Sequence, residues 1–346
     1  MKLVINLALS LAVGAACVYL VWPAPAQKAE LGAALGRLDA LTMLEYVGTL
    51  ALMHLFRAWR WDYLLRPIGG RLRFAELFWI SSAGFMAILA LPARLGEFVR
   101  PHLARKRAKI RMSAALGTVA VERIVDGLMV SLVVSIACSQ LPRAPWWLIW
   151  MPLIVFGAAT GFLVFGVIWP KQTVRFCLRV SLLEALSPRF AARIAGILGG
   201  IISGFRVLGD VRNLAAFAGL SALYWFWNGF GMWLLARGMG LSIPLAASFV
   251  TMGVIVVGIT LPNSPGLLGQ FHYFTKIGLA LYGVADGPAL AYATVLHAAQ
   301  TVWYVGLGLI ALVPLGVTLR SVVTESAHGD EADDLQRAST APPSAA

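Results

Sequence analysis

Apolar residues fall into long runs along the chain, and polar residues collect in the stretches between them. A helix needs about 20 predominantly apolar residues to cross the hydrocarbon core of a bilayer. Runs of that length lie at residues 3–22, 41–64, 112–137, 146–169, 213–237 and 286–313, which predicts an all-α bundle of about six spanning helices. Shorter runs at 74–91, 243–261 and 271–283 adjoin two helix-breaking strings, Leu91-Pro92-Ala93-Arg94-Leu95-Gly96 and Leu261-Pro262-Asn263-Ser264-Pro265-Gly266.

Composition agrees with the pattern. Of the 346 residues 59% are hydrophobic and 13% charged, where a soluble domain is about one quarter charged, so an ordinary soluble enzyme is excluded. The 28 Lys and Arg against 16 Asp and Glu give a net charge of +12. In a soluble chain that excess suggests nucleic acid; in a membrane chain it orients the helices, because Lys and Arg gather on cytoplasmic loops. Arg57, Arg60, Arg66, Arg71 and Arg73 then place the end of the 41–64 run inside, and the N-terminus with it.

Residues 74–91 have basic clusters on both sides, the second holding Arg94, Arg100, Arg105, Lys106, Arg107, Lys109 and Arg111 against Glu97 alone. A full crossing would put one cluster outside. The charge rule therefore predicts a re-entrant hairpin that turns at Pro92–Gly96, a device tolerated only where it is buried in protein or lines a wet cavity. The basic stretch from Lys171 to Arg212 sends the 213–237 run outward, so the second hairpin dips in from the outer face and the last run returns inside toward Arg320. Two halves of reversed orientation result, 1–140 and 146–316, within one integral domain of 1–320. Inverted repeats whose broken elements meet near the midplane are a recurrent transporter plan.

Three further segments complete the chain. Residues 171–211, with Gly196, Gly200 and Gly204, read as an interfacial helix on the cytoplasmic side. The tail 321–346 is acidic and reads as disordered and cytoplasmic; taking its net −4 from +12 leaves a membrane body of +16. The first run ends near Ala24-Pro25-Ala26, which resembles a cleavage site, yet it exceeds the roughly 7–15 residues of a secretory apolar region and reads as a retained anchor.

The informative residues are ionisable groups at depth. Glu122, Arg123 and Asp126 lie about 15–21 Å along the helix that starts near Met112, close to the bilayer centre. Glu122 and Asp126 share a face. Their expected partners are Arg94, Glu97 and Arg100 on the first hairpin, three cations against three anions in all. Such groups cost several kcal/mol unless paired or hydrated. One reading is a salt-bridge network that holds the hairpin to the helix. The other is a site where an arginine exchanges a carboxylate for a phosphate, which a guanidinium can hold with two hydrogen bonds.

The second hairpin offers Asn263, Ser264, Gln270, His272 and Lys276, facing His297 and Gln300 on the last helix. No metal-ligand spacing appears among them, and Cys17, Cys138 and Cys177 form no CxxC pair, so neither a cofactor nor a metal is expected. Trp59, Trp61, Trp146, Trp147, Trp150, Trp225, Trp227 and Trp233 read as anchors at the membrane interfaces. Nucleotide-binding, zinc-protease and serine-hydrolase signatures are absent from the sequence.

The strings LPARLGEFVRPHLARKR at 91–107, VERIVD at 121–126, LPNSPGLLGQF at 261–271 and RAWRWDYLL at 57–65 together resemble the flippase-like membrane family named for the transmembrane region of lysylphosphatidylglycerol synthase. The resemblance covers most of residues 1–320. It maps the family's GE-x-x-R onto Gly96, Glu97 and Arg100, its ER-x-x-D onto Glu122, Arg123 and Asp126, and its Pro-Gly turn onto Pro265, Gly266 and Gly269. The chain departs from the family pattern at Leu267 and at His272, where relatives carry Gly and Glu. The resemblance implies a bundle with two re-entrant hairpins that moves or handles anionic or polyprenyl lipids, and the leading reading is a lipid translocase of a bacterial-type inner membrane. The substrate-binding expectation is Arg94, Glu97, Arg100, Glu122, Arg123, Asp126, Asn263, His272 and Lys276. Two rival functions stay open: an enzyme that modifies a lipid head-group, with Glu122 or Asp126 as base, and a partner that presents lipid to a separate glycosyltransferase or aminoacyltransferase. Nucleic acid is not an expected partner.

Overall fold

A computed structural model describes residues 2–22, 25–90, 96–138, 210–259, 265–319 and 321, with scattered positions between 146 and 172. The described residues are all-helical, without strands. The helices are α1 (Lys2–Val21), α2 (Pro25–Leu35), α3 (Ala40–Leu65), α4 (Phe74–Ala90), α5 (Val99–Ala108), α6 (Met112–Cys138), α7 (Val211–Gly238), α8 (Leu245–Gly258), α9 (Gln270–Ala280) and α10 (Asp286–Leu315). Helices cover five of the expected apolar runs, as α1, α3, α6, α7 and α10. The 146–169 span, the 171–211 segment and the acidic tail lie outside the described residues apart from isolated positions. No apolar run marks α2, which lies against α10.

Local signals set the helix ends. Asp39 has extended backbone and its carboxylate accepts the Thr42 N–H at 2.6 Å, capping α3. That hydrogen bond holds the Asp39 carboxyl below its ordinary range. Asp210 caps α7 in the same way through Asn213. By length and composition α10 is the described helix long and apolar enough to cross a membrane. In α6 every 18-residue stretch includes Glu122, Arg123 and Asp126.

α4 and α5 form a hairpin whose two ends lie together. The turn Pro67–Gly69 before α4 and residues Ala108–Arg111 after α5 line one shallow depression. α8 and α9 form a second hairpin, with Ile243 before α8 and Leu281 after α9 packed on one core. Contacts between helices come in pairs. α3 meets α4 as α7 meets α8; α4 lies along α10 as α8 lies along α6; α5 meets α6 as α9 meets α10; and α3 lies along α7, the most extensive contact of all.

Two apolar cores fill the bundle; Met129 packs against both, and polar residues gather at their boundary. On α3 one core ends at Met53 and the other begins at Trp61; on α6 the boundary falls between Val125 and Val130. The positions left between are His54, Arg57, Ala58 and Arg60 on α3 and Asp126 on α6. On α10 the interval between fully buried core members is widest, from Leu296 to Ala311, with the half-buried Ala299 and Trp303 packed on the first core.

Candidate functional site

Arg60 is the hub of the polar layer, fully buried on α3. Its Nη1 and Nη2 donate to the two Asp126 oxygens at 2.5 and 2.9 Å, Nη2 also donates to Glu122 Oε1 at 2.9 Å, and Nη1 to Ser221 Oγ at 3.1 Å. Three side chains from two helices, α6 and α7, thus hold one guanidinium in a planar fork, the geometry a lysine cannot reproduce. Trp225 Nε1 donates to Asp126 Oδ1 at 2.9 Å, which ties α7 to the same carboxylate.

Glu122 is shared. Its Oε2 accepts from Arg100 Nη1 at 3.0 Å, so α3, α5 and α6 meet on one carboxylate. Arg100 reaches it because small residues let the return arm of the hairpin come close. A Cβ on Gly84 would lie 2.0 Å from Arg100 Cγ, and a Cβ on Gly96 would lie 2.2 Å from the backbone of Ala87 and Ile88. The Arg100 guanidinium stacks 4.3 Å from the Trp61 ring, and Trp61 Nε1 donates to Thr118. Arg100 is 1% exposed, yet its Nε and Nη2 have no hydrogen-bond partner.

Arg57 lies one turn before Arg60. Its guanidinium sits 3.5 Å over the Phe85 ring, with Tyr224 at 5.3 Å and the Tyr304 hydroxyl as a hydrogen-bond partner. Its Nε is buried and unpartnered. Among the described residues no carboxylate pairs with Arg57. Among the described residues of this layer, Arg57, Arg60 and Arg100 therefore face Glu122 and Asp126, an excess of one cation.

The structure divides the expected site residues. Arg100, Glu122 and Asp126 come together. Arg123 stands at the margin, 3.9 and 4.0 Å from Asp126 and Glu122 with a side chain 38% exposed, and Glu97 acts on it electrostatically. His272 packs against His297 at 5.0 Å between ring centroids, and His297 Nε2 is 2.7 Å from the Gly266 carbonyl oxygen. Lys276 pairs with Asp286 at 3.1 Å. Gln300 donates to the Tyr46 hydroxyl at 3.0 Å rather than meeting the second hairpin. Arg94 and Asn263 lie outside the described residues.

Arg57 and Arg60 are the residues that sequence reasoning missed as site members, having taken them for the basic end of a span. The signal was their place inside a continuous helix, with Leu64 and Leu65 beyond them fully buried. Two tryptophans also differ from expectation. Trp61 and Trp225 are buried hydrogen-bond donors of the cluster rather than interface anchors, because burial brought each indole N–H to an acceptor. Trp59, Trp146 and Trp150 are exposed.

Comparison with known proteins gives two matches. The family model described as lysylphosphatidylglycerol synthase transmembrane region matches residues 6–308. A protein named Glycosyltransferase AglD from Haloferax volcanii is 24% identical over 312 residues, covering 79% of this chain and 48% of the relative. The chain thus spans about half the length of that relative. No solved structure matches.

Proposed function

The chain belongs to the lysylphosphatidylglycerol synthase transmembrane-region family, and from that premise we propose that it is a lipid translocase, carrying an anionic phospholipid or polyprenyl-phosphate-linked lipid across the membrane. The observation that carries the reading is the excess of arginine over carboxylate in the polar layer. Arg100 keeps Nε and Nη2 without partners and Arg57, Arg60 and Arg123 each keep Nε, in a layer where an unpaired polar group costs several kcal/mol; of these arginines Arg57 alone lacks a carboxylate among the described residues. A phosphate oxyanion is the ligand that satisfies such donors and neutralises the extra charge. Arg60, whose Nη atoms are bound by two carboxylates and a serine, holds the frame. Arg57 and Arg100 hold the head-group, and Glu122 re-engages Arg100 when it leaves.

The paired helix contacts support a two-half plan. Exchanging α3–α6 for α7–α10 reproduces the contact pattern, with α3 and α7 on the exchange axis. Inverted halves with re-entrant hairpins give that pattern, and alternate rocking of such halves opens a site to either face in turn. In this reading α4–α5 enters from the cytoplasm and α8–α9 from outside, both termini are cytoplasmic, and the protein resides in the inner membrane. Glu97, Arg123 and Arg94 serve the inner entrance; Asn263, His272 and Lys276 serve the outer exit.

The test is translocation by purified protein in liposomes. Head-group-labelled phosphatidylglycerol in the inner leaflet, hidden from a membrane-impermeant quencher, becomes quenchable faster than in protein-free vesicles. Equal rates with anionic and polyprenyl-phosphate probes alike overturn the reading. A second reading rests on the relative's name: a chain that spans about half of a protein named a glycosyltransferase presents lipid to a separate glycosyltransferase without moving it. It predicts co-purification of that enzyme and no gain in flipping.

A further inference from the structure

Polar groups continue from the arginine cluster toward the second hairpin along one line. His297, Gln300, Thr301 and Tyr304 recur on α10 at the three- and four-residue spacing that places them on one face. They fall between Leu296 and Ala311, an interval of α10 that has no fully buried core member and where the half-buried Ala299 and Trp303 pack on the first core. Opposite them α3 contributes Tyr46, which accepts from Gln300, and His54, whose ring lies 6.2 Å from Tyr304. At one end His297 meets the Gly266 carbonyl of the second hairpin; at the other Tyr304 meets Arg57.

Along the line, hydrogen bonding is incomplete. Thr301 Oγ1 and His54 Nδ1 are buried and unpartnered, as is Arg57 Nε. Yet Gln300, Thr301, Tyr304 and Arg57 are each half-buried, so the face is partly open midway along long helices. The opposite face of α10 is apolar and exposed, with Val302 at 73% and Val313 at 83%. Lipid tails satisfy the second face and cannot satisfy the first. A half-open polar face at membrane depth is stable when water or a polar ligand lies along it.

We infer that the α3–α10 seam is a hydrated groove, the route by which a phosphate head-group travels between the Arg57–Arg100 cluster and the second hairpin. The inference rests on the translocase reading above and assigns its path. The groove spans about 10 Å between His297 and Tyr304, at 1.5 Å per residue. Tyr304 sits at the junction, where its hydroxyl hands the ligand from Arg57 to Gln300.

Thiol chemistry tests it, because a thiol reacts with a charged reagent as thiolate, which forms in water and not in lipid. In a background with Cys17, Cys138 and Cys177 replaced by Ala or Ser, the variants Gln300→Cys, Thr301→Cys and Val302→Cys are treated with a charged methanethiosulfonate in liposomes. Lys28→Cys serves as the exposed control. Positions 300 and 301 are expected to react at least tenfold faster than 302, and short-chain phosphatidylglycerol, unlike short-chain phosphatidylcholine, is expected to slow them. Positions 300 and 301 as inert as 302, with 28 reactive, overturn the groove; fast labelling that neither lipid slows overturns the head-group route. The labelling reads water rather than lipid movement. A dry seam in a protein that moves lipid overturns the path alone, and a wet seam in one that moves none overturns the translocase reading alone.

Discussion

Arg57 and Arg60 sit one helical turn apart and do different work. The two Nη atoms of Arg60 are taken up by Asp126, Glu122 and Ser221, so Arg60→Ala leaves Asp126 buried without its principal cation and strips Glu122 of one of its two close arginines. Breaking a buried pair in this way costs about 3–5 kcal/mol, and thermal unfolding in detergent is expected to show a large fall in Tm. Arg57 forgoes mainly its place over Phe85 on substitution, a cation–π contact of about 1 kcal/mol. Arg57→Gln is therefore expected to change Tm little while lowering head-group translocation in liposomes at least tenfold. A Tm loss matching that of Arg60→Ala would make Arg57 a structural residue instead. The sequence displays Glu122 and Asp126 as anomalies because apolar residues flank them on both sides. Arg57 and Arg60 hide in the same sequence because basic residues at the end of an apolar run also mark a cytoplasmic boundary, and only packing against α6 and α7 distinguishes the two.

At the level of the elements, the first hairpin is held by glycines at close approaches. Gly84 faces the flexible stem of Arg100, whereas Gly96 faces the backbone of Ala87 and Ile88. Gly84→Ala is expected to cost about 1–3 kcal/mol as overpacking while Arg100 shifts aside. Gly96→Ala meets atoms that cannot rotate away, so its Tm is expected below that of Gly84→Ala in the same unfolding series. The reverse order would contradict the packing of α5 on α4. At the second hairpin Gly269, at φ +79°, packs where a Cβ would lie 2.7 Å from the Gly14 carbonyl oxygen of α1. The Leu-Pro strings and their glycines make both hairpins legible in the sequence. What they pack against is not, since α1 against α9 and α2 against α10 join segments far apart in the chain by apolar contact alone, which carries no pairing code.

For the whole molecule, the charge distribution predicts that α4–α5 leaves and returns at one face. Arg71 and Lys109 are exposed beside the two ends of that hairpin, and Ala285 is exposed before α10. With single cysteines at these positions, a membrane-impermeant maleimide is expected to label Ala285→Cys on intact cells, and Arg71→Cys and Lys109→Cys only after permeabilisation. Labelling of 71 and 109 from opposite faces would remove the hairpin and the inverted halves with it. The proposed two-half plan is read from charge and helix breaks, because the positive-inside bias acts on loops, which sequence shows directly. The polar layer between the two apolar cores was half legible, since its members on α6 interrupt an apolar run, whereas those on α10 are neutral and pass as ordinary helix residues. The central claim is that Arg57 and Arg100 hold a lipid phosphate while Arg60 keeps its carboxylates. A structure determined in native lipid tests it most directly: the account predicts a phosphate within hydrogen-bond reach of Arg57 and Arg100 with the Arg60–Asp126 pair intact, and it is contradicted if ordered head-groups appear elsewhere on the protein and none at that pair of arginines.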